Sequence, residues 1–550
     1  MSSSNDLYKD QFIVEINSRS NSDASDEQLI SENALDYGST KEINDSILQV
    51  DLENLPQGRQ FGVFSTIVLF ISRIFGSGIW ATPALVFQGV GGSPLLFFIM
   101  WIIAALMAFA GLFIYLELGS IVPKSGGTKV FLEFIYPRPF LLISVVFAIF
   151  QLVFSMSITN ALVFGKYLLF ALGFEPDYIE TSQASSNIGM GLIIITCLVH
   201  GISVKTGLFV QNFLGALKLF LVAIMTITGI YVLITPTQLT GLPNHFHWDE
   251  VFKFQDSSIV TTSSLSSSLL NCFFTFGGWS SVHTLSSEIQ NPNRTFKIAG
   301  PISLILALLN FTLINIAYLK IIPHDEIMEI GPLIGSILFE KIFGYKLGRQ
   351  FITISIAISS ASNVFVVIYS LVRMNQEIFR EGYFPYSGFF ASNSKIFKTP
   401  ITCLVLTCFT NCIWLYLLPQ GGDSFNYIIS LEGYTGQIFL LLTSIGIFII
   451  RYRFPHSRAS IRASRIGTIL IIFVTLFIII SPFFTKDSNQ AKLGGLPPYY
   501  ILSPLILISC VGFWGLKFKI LPYLFGYELE NEVKELHDGL TIKKWVKVYH

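Results

Sequence analysis

Apolar residues run in long blocks, separated by short polar stretches, from residue 61 to residue 520. A helix needs about 20 apolar residues to cross the hydrocarbon core of a bilayer. Twelve stretches meet or approach that length: 61–87, 94–119, 140–169, 187–203, 209–234, 265–288, 298–322, 350–372, 401–418, 425–450, 466–484 and 499–520. The pattern therefore predicts an all-α integral membrane protein with twelve transmembrane helices. Residues 1–60 are rich in Ser, Asn, Asp and Glu, which predicts a disordered N-terminal tail. They also lack the apolar core of a cleavable signal peptide. Residues 521–550 read as a polar C-terminal tail, in part helical.

Two of these blocks carry glycine-rich interruptions. Phe75-Gly76-Ser77-Gly78-Ile79 lies in the first and Phe276-Gly277-Gly278-Trp279 in the sixth. Glycine weakens a helix because it has the most backbone freedom to lose. Backbone opened inside a bilayer persists only where protein or a watery cavity satisfies its polar groups. Paired interruptions at corresponding places in two halves of a chain point to a carrier's substrate site. If the first helix stops near Phe75 and restarts after Gly78, the new N-terminus offers N–H groups and a positive dipole end to a carboxylate. The half-helices that end near Ile74 and Phe276 offer carbonyls to an ammonium. The expected substrate-binding set is Ile74, Phe75, Gly76, Ser77, Gly78, Ile79, Phe273, Phe274, Phe276, Gly277 and Gly278. The competing explanation is close helix packing over small residues, as membrane helices commonly show.

Composition agrees with the pattern. The chain is 52% hydrophobic and only 13% charged, where a soluble domain carries about a quarter charged residues. The six cysteines all lie in apolar blocks, without metal-ligand spacing, so neither a disulfide framework nor a metal site is expected. No cofactor and no nucleic acid partner is indicated, and no nucleophile or acid–base cluster suggests an enzyme. The larger share of loop Lys and Arg, including Lys129, Arg138, Arg294, Lys297, Arg380, Arg451 and Arg453, follows even-numbered spans. By contrast, 170–186 carries only acids: Glu175, Asp177 and Glu180. The positive-inside rule places both termini in the cytoplasm. Lys9 and Lys41 in the N-tail are accessible acceptors for ubiquitination machinery.

Ionisable residues inside spans are costly and so are functional candidates. Arg73 falls near the middle of the first span and needs a carboxylate partner, with Glu117 and Glu288 on the inward side as candidates. It reads either as part of a cytoplasmic gate or as a static buried ion pair. Glu432, in the outer half of the tenth span, gates the outer side, carries a proton or is a satisfied structural carboxylate. Glu288 and Arg294 flank Asn291-Pro292 and could latch the inner end of the sixth span; Asn-Pro already stops a helix. His283 reads as a polar-face residue.

These motifs together resemble the amino acid–polyamine–organocation superfamily, in its L-type amino acid transporter branch. The resemblance rests on Gly76-Ser77-Gly78-Ile79 with Pro83, and on Glu117-Leu118-Gly119 with Pro123-Lys124-Ser125-Gly126-Gly127. It also rests on Phe274-Thr275-Phe276-Gly277-Gly278-Trp279 with Glu288, Asn291-Pro292 and Arg294, and on Arg380-Glu381-Gly382 with Pro385. Within that branch the chain is most similar to fungal methionine permeases. The resemblance implies a LeuT-like fold, with helices 1 and 6 broken. Residues 61–234 and 265–450 would be two inverted five-helix repeats, and 466–520 two extra helices. It implies alternating-access uptake of a neutral apolar amino acid at the plasma membrane, driven by protons, with methionine favoured and leucine or cysteine as alternatives. A non-transporting nutrient receptor on the same scaffold is a second reading. Lys218 stands where some relatives carry a lysine in place of bound sodium, so it either couples protons or pins helices as a fixed cation. Phe274 matches an aromatic lid. The absence of cysteine from 170–186 implies no covalent heavy chain, and Trp80 departs from the family's usual Phe.

Overall fold

The computed structural model describes residues 61–122, 126–154, 157–235, 239, 241–418, 424–455, 459, 461–484 and 496–549. The N-terminal tail, with Lys9 and Lys41, lies outside the described residues. Two half-helices open the body, α1 (Val63–Ile74) and α2 (Gly78–Gly89), bent by 41° at their junction. They lead to α3 (Pro94–Ile121), the short α4 (Thr128–Ile135), α5 (Leu142–Phe154) and α6 (Ile158–Ala171). After α7 (Pro176–Thr181) come α8 (Ala184–Ile202) and α9 (Val204–Ile234). The second interrupted segment is α10 (Thr262–Thr275) and the one-turn α11 (Trp279–Val282), followed by a 3₁₀ turn to Glu288.

Next are α12 (Pro292–Ile321), α13 (His324–Ile330), α14 (Ile334–Gly344), α15 (Thr353–Arg380) and α16 (Ser387–Ala391). The remainder is α17 (Ile401–Leu417), α18 (Ser424–Arg453), α19 (Arg465–Ile480), α20 (Tyr499–Gly515) and α21 (Leu521–Phe525). Local sequence sets several of these boundaries. Thr261 and Ser264 form a reciprocal capping box at the start of α10. Asn291 is left-handed, and Pro292 occupies the first turn of α12, where its missing N–H costs nothing.

Nine helices among the described residues are long and apolar enough to cross a membrane, or ten if the bent α1–α2 pair is one span. The protein is multi-pass. The helix α17 is apolar but shorter, at 17 residues, and the sixth predicted span divides at its glycines into pieces too short to pass alone. The main core gathers α1, α2, α3, α10, α12, α14 and α18, and a second cluster fills the space among α6, α8, α15 and α17. Beyond α21, residues 527–549 form an antiparallel hairpin, β1 (Tyr527–Glu535) and β2 (Thr541–Tyr549), which the sequence reading did not anticipate.

Candidate functional site

Both glycine segments interrupt helix deep in the bundle. At the first, Phe75 adopts φ −80° and ψ 70°, and the Gly76 N–H bonds Ile74 O at 2.9 Å, an inverse γ-turn. That turn diverts the Gly76 N–H from Ser72 O, its partner in a continuous helix. The freed carbonyl is taken up by the buried Lys218, whose Nζ donates to it at 2.9 Å. Ser77 N–H would have bonded Arg73 O; it instead donates to Asn160 Oδ1 at 3.1 Å. Asn363 Nδ2 donates to the same oxygen at 3.0 Å. The first break is thus pinned from three helices: α6 and α15 through the two asparagines, α9 through the lysine.

The second break turns on Gly278, at φ +92° in the left-handed region that only glycine adopts at little cost. The Gly277 N–H donates to Phe274 O at 3.0 Å, which leaves Phe273 O without its helical partner. The two breaks then meet reciprocally. A Cβ on Gly278 would stand 2.9 Å from Arg73 O, and one on Gly78 would stand 2.7 Å from Thr275 Oγ1. The end of α1 therefore abuts the start of α11, while the start of α2 abuts the end of α10. Thr82 and Thr275 share a hydroxyl hydrogen bond of 2.8 Å across this second contact.

The aromatic residues divide into two groups. Phe75 and Phe276 are buried, and each ring centroid lies 5.1 Å from that of Phe311 on α12, with Trp101 of α3 closing the cluster. Phe273 and Phe274 are only half-buried and remain available at the break. Ile74 and Ile79 are core residues, and Ile79 O accepts from Tyr318 Oη at 3.2 Å. Trp80 packs against Phe339, with its carbonyl accepting from Tyr167 Oη at 2.6 Å.

The ionisable residues depart from expectation in informative ways. Arg73 does not pair with Glu117. Its Nε donates to Ser281 Oγ at 2.7 Å, and that hydroxyl donates to Gly278 O at 2.7 Å. A guanidinium on the first half-helix is thereby wired to the pivot glycine of the second break, while its Nη1 is buried without a protein acceptor. Among the described residues Arg73 forms no ion pair within 4 Å, with Glu432 of α18 or any other acid. Glu117 is held instead by Arg451 in a bidentate pair (2.9 and 2.5 Å) and accepts Ala463 N–H at 2.6 Å. A bidentate fork is the geometry arginine and carboxylate favour, and it commits Glu117 to Arg451. Arg294 is exposed on the first turn of α12, and the Glu288 side chain lies outside the described residues, as do Pro123, Lys124 and Ser125. His283 is not on a polar face: it is buried, stacked 4.5 Å from Phe296 and edge-on to Tyr115.

Sequence reading passed over Asn160, Asn363, Ser281 and Phe311. The first two carried a usable signal, since an amide inside an apolar span is costly unless it has a partner.

Comparison with known proteins places this geometry. The family profile described as amino acid permease matches residues 61–511. A low-affinity methionine permease of Saccharomyces cerevisiae is 45% identical over 90% of this chain and 88% of its own length. A high-affinity methionine permease of the same yeast is 28% identical over 90% of this chain and 85% of its own. The b(0,+)-type amino acid transporter 1 of Mus musculus is 24% identical over 88% of this chain and 93% of its own.

Proposed function

The chain belongs to the amino acid permease family, a transport family and not an enzyme family, and on that footing we propose that it takes up L-methionine at the plasma membrane. The single observation that carries the site is the reciprocal meeting of two helix breaks in mid-bundle. The substrate's carboxylate lies at the N-terminus of α2, where Gly78 and Ile79 N–H groups face it and Ser77 N–H is already committed to Asn160. Its ammonium faces the carbonyls released at the end of α10, Phe273 O foremost. The half-buried Phe273 and Phe274 flank the side chain, and sulfur–aromatic contact favours a thioether. The 45% identity to a methionine permease supports the same choice.

The crossing of α1 with α11 and of α2 with α10 supports a LeuT-like arrangement. Its inverted repeats are residues 61–234 and 265–450, followed by 466–520, making twelve crossings in all with both termini cytoplasmic. Transport proceeds by alternating access. Lys218, bonded to the carbonyl that the break in α1 frees from its helical partner, senses whether that break is closed. It releases and regains a proton as access alternates, which couples uptake to the proton gradient. Arg73 and Ser281 join the two half-helices on the inward side.

The test is uptake of radiolabelled L-methionine by cells stripped of their own permeases, with each of the twenty unlabelled amino acids as competitor. Methionine is expected to compete best, and a protonophore is expected to suppress uptake. Accumulation no greater than in empty cells would overturn the transport reading, and indifference to the protonophore would remove the proton.

A further inference from the structure

The hairpin folds back onto one end of the bundle. Trp545 Nε1 donates to Glu381 O at 3.0 Å, Arg380 Nε to Thr541 O at 3.0 Å, and Asn393 N–H to Asp538 Oδ2 at 2.8 Å. Gly382, left-handed at φ +73°, has no Cβ to collide with the Lys543 carbonyl, so β2 lies flush against the loop after α15. This explains the Arg380-Glu381-Gly382 run as the seat of the hairpin.

A cavity of about 760 Å³ remains between the hairpin, that loop and the end of α20. Five lysines line it, Lys517, Lys534, Lys543, Lys544 and Lys547, against a single acid, Glu535. Lys543 is committed to Glu381 at 3.2 Å, and Lys517 donates to Tyr383 O. Among the described residues no carboxylate lies within 4 Å of Lys534, Lys544 or Lys547. Lys547 instead sits 4.6 Å above the Tyr527 ring. The strand register sets Lys543 and Lys547 on one face of the hairpin and Lys534 and Lys544, the latter opposite Glu532, on the other, so the lysines flank the cavity from both faces and offer a positive field that an anion relieves.

The rest of the wall is apolar, with Phe384, Phe513, Leu516 and Leu521 among its members. The helical stretch Tyr499–Phe525 that borders it is only 11% buried along its apolar window, so it presents bare hydrocarbon surface beside the lysines. Tyr386, Tyr523 and Phe525 add exposed aromatic surface nearby. Aromatic and basic residues together mark the headgroup level of a membrane. On the topology proposed above, with both termini cytoplasmic, this end of the bundle faces the cytosolic leaflet, which is the anionic one.

We propose that this cavity holds the headgroup of an anionic phospholipid, with its acyl chains lying along α20. The lysines take the phosphate and any further anionic group, and the bare face of α20 takes the tails. A free headgroup satisfies only the first of these contacts, so the lipid and not a soluble phosphate is the ligand.

The full chain, purified in detergent, is to be offered phosphatidylserine, phosphatidylinositol phosphate or phosphatidylcholine, and the retained lipid counted by native mass spectrometry. Both anionic lipids are expected to be retained at least roughly tenfold over phosphatidylcholine, and joint Lys544→Ala and Lys547→Ala substitution to lower that retention roughly 30-fold. The matching Lys→Arg pair keeps the charge and is expected to keep the lipid, which separates loss of charge from loss of the hairpin. Equal retention of phosphatidylcholine overturns the proposal. So does displacement by glycerophosphoserine at the same concentration as the lipid, or unchanged retention in the double alanine variant. Methionine uptake does not enter this readout.

Discussion

The two helix breaks are spelled with similar glycine-rich sequence, yet the protein holds them in opposite ways. At the first, two of the displaced backbone groups are met by side chains from elsewhere: Lys218 takes Ser72 O, and Asn160, braced by Asn363, takes Ser77 N–H. At the second, the chain turns on the left-handed Gly278, with Ser281 tying it to Arg73 and Thr275 bonding Thr82 across to α2. A break braced from three helices is a fixed platform. A break that pivots on one glycine is a hinge. Under the proposed function, the contrast would give pre-organised binding to the first and motion to the second, and it is open to attack at each point.

The hinge is the most exposed to substitution. Gly278→Val forces a β-branched residue to φ +92° and drives its Cβ to 2.9 Å from Arg73 O. Methionine uptake is expected to fall more than about 100-fold, with surface expression retained; near-normal transport would deny the hinge. Next comes the brace. Asn160→Ala leaves a buried N–H unsatisfied at about 1–3 kcal/mol, so apparent affinity is expected to weaken roughly 5- to 150-fold. Binding to purified protein reads this directly, and an unchanged affinity would make the platform dispensable. Lys218→Met removes the cation from Ser72 O and is expected to abolish the pH dependence of whatever uptake remains. A pH profile parallel to that of the unaltered protein would leave Lys218 as a pin only. Ser281→Ala cuts the relay between Arg73 and Gly278 O, for a milder loss of roughly 5- to 10-fold in uptake. Full activity there would separate the two breaks.

The smallest effect is expected far from both breaks, at the hairpin. Burial disfavours the Glu381 carboxylate, but Lys129 and Lys543 outweigh it and hold the group down from 4.5 to about 2. A carboxyl depressed in this way supports the docked state above its unfolded value and loses that support only as pH falls toward 2. Lys129 is shifted the other way: burial lowers it, but Glu133 and Glu381 raise it by more. Its contribution is present below the ordinary lysine value and fades only above it. Protection of the hairpin amides in hydrogen exchange, corrected for intrinsic rate, should therefore stay constant from about pH 5 to about pH 9. A transition inside that window would contradict the pairing.

Most of the bundle was legible because spans of apolar residues are their own signal, and the two breaks were legible because their glycines stand at corresponding places in two halves of the chain. What lay hidden depended on partners distant in sequence. Asn160 and Asn363 are 203 positions apart, and neither reveals the other by spacing. Arg73 was matched by rule to a carboxylate, whereas the fold gives Glu117 to Arg451 and gives Arg73 a serine hydroxyl. The hairpin is a different kind of miss. Asp538-Gly539 followed by Thr541, Ile542, Val546 and Val548 is a turn followed by a β-branched run, a local signal that composition alone had read as a polar tail.

The central claim is that backbone atoms at the two breaks grip both charged ends of the substrate. Competition against labelled L-methionine by methionine methyl ester and by N-acetylmethionine tests it most directly, since each derivative keeps the side chain and removes one charge. Neither should compete measurably at a concentration where unlabelled methionine blocks uptake. Competition by either one at the strength of methionine itself would show that its missing charge is not held, and would contradict the account.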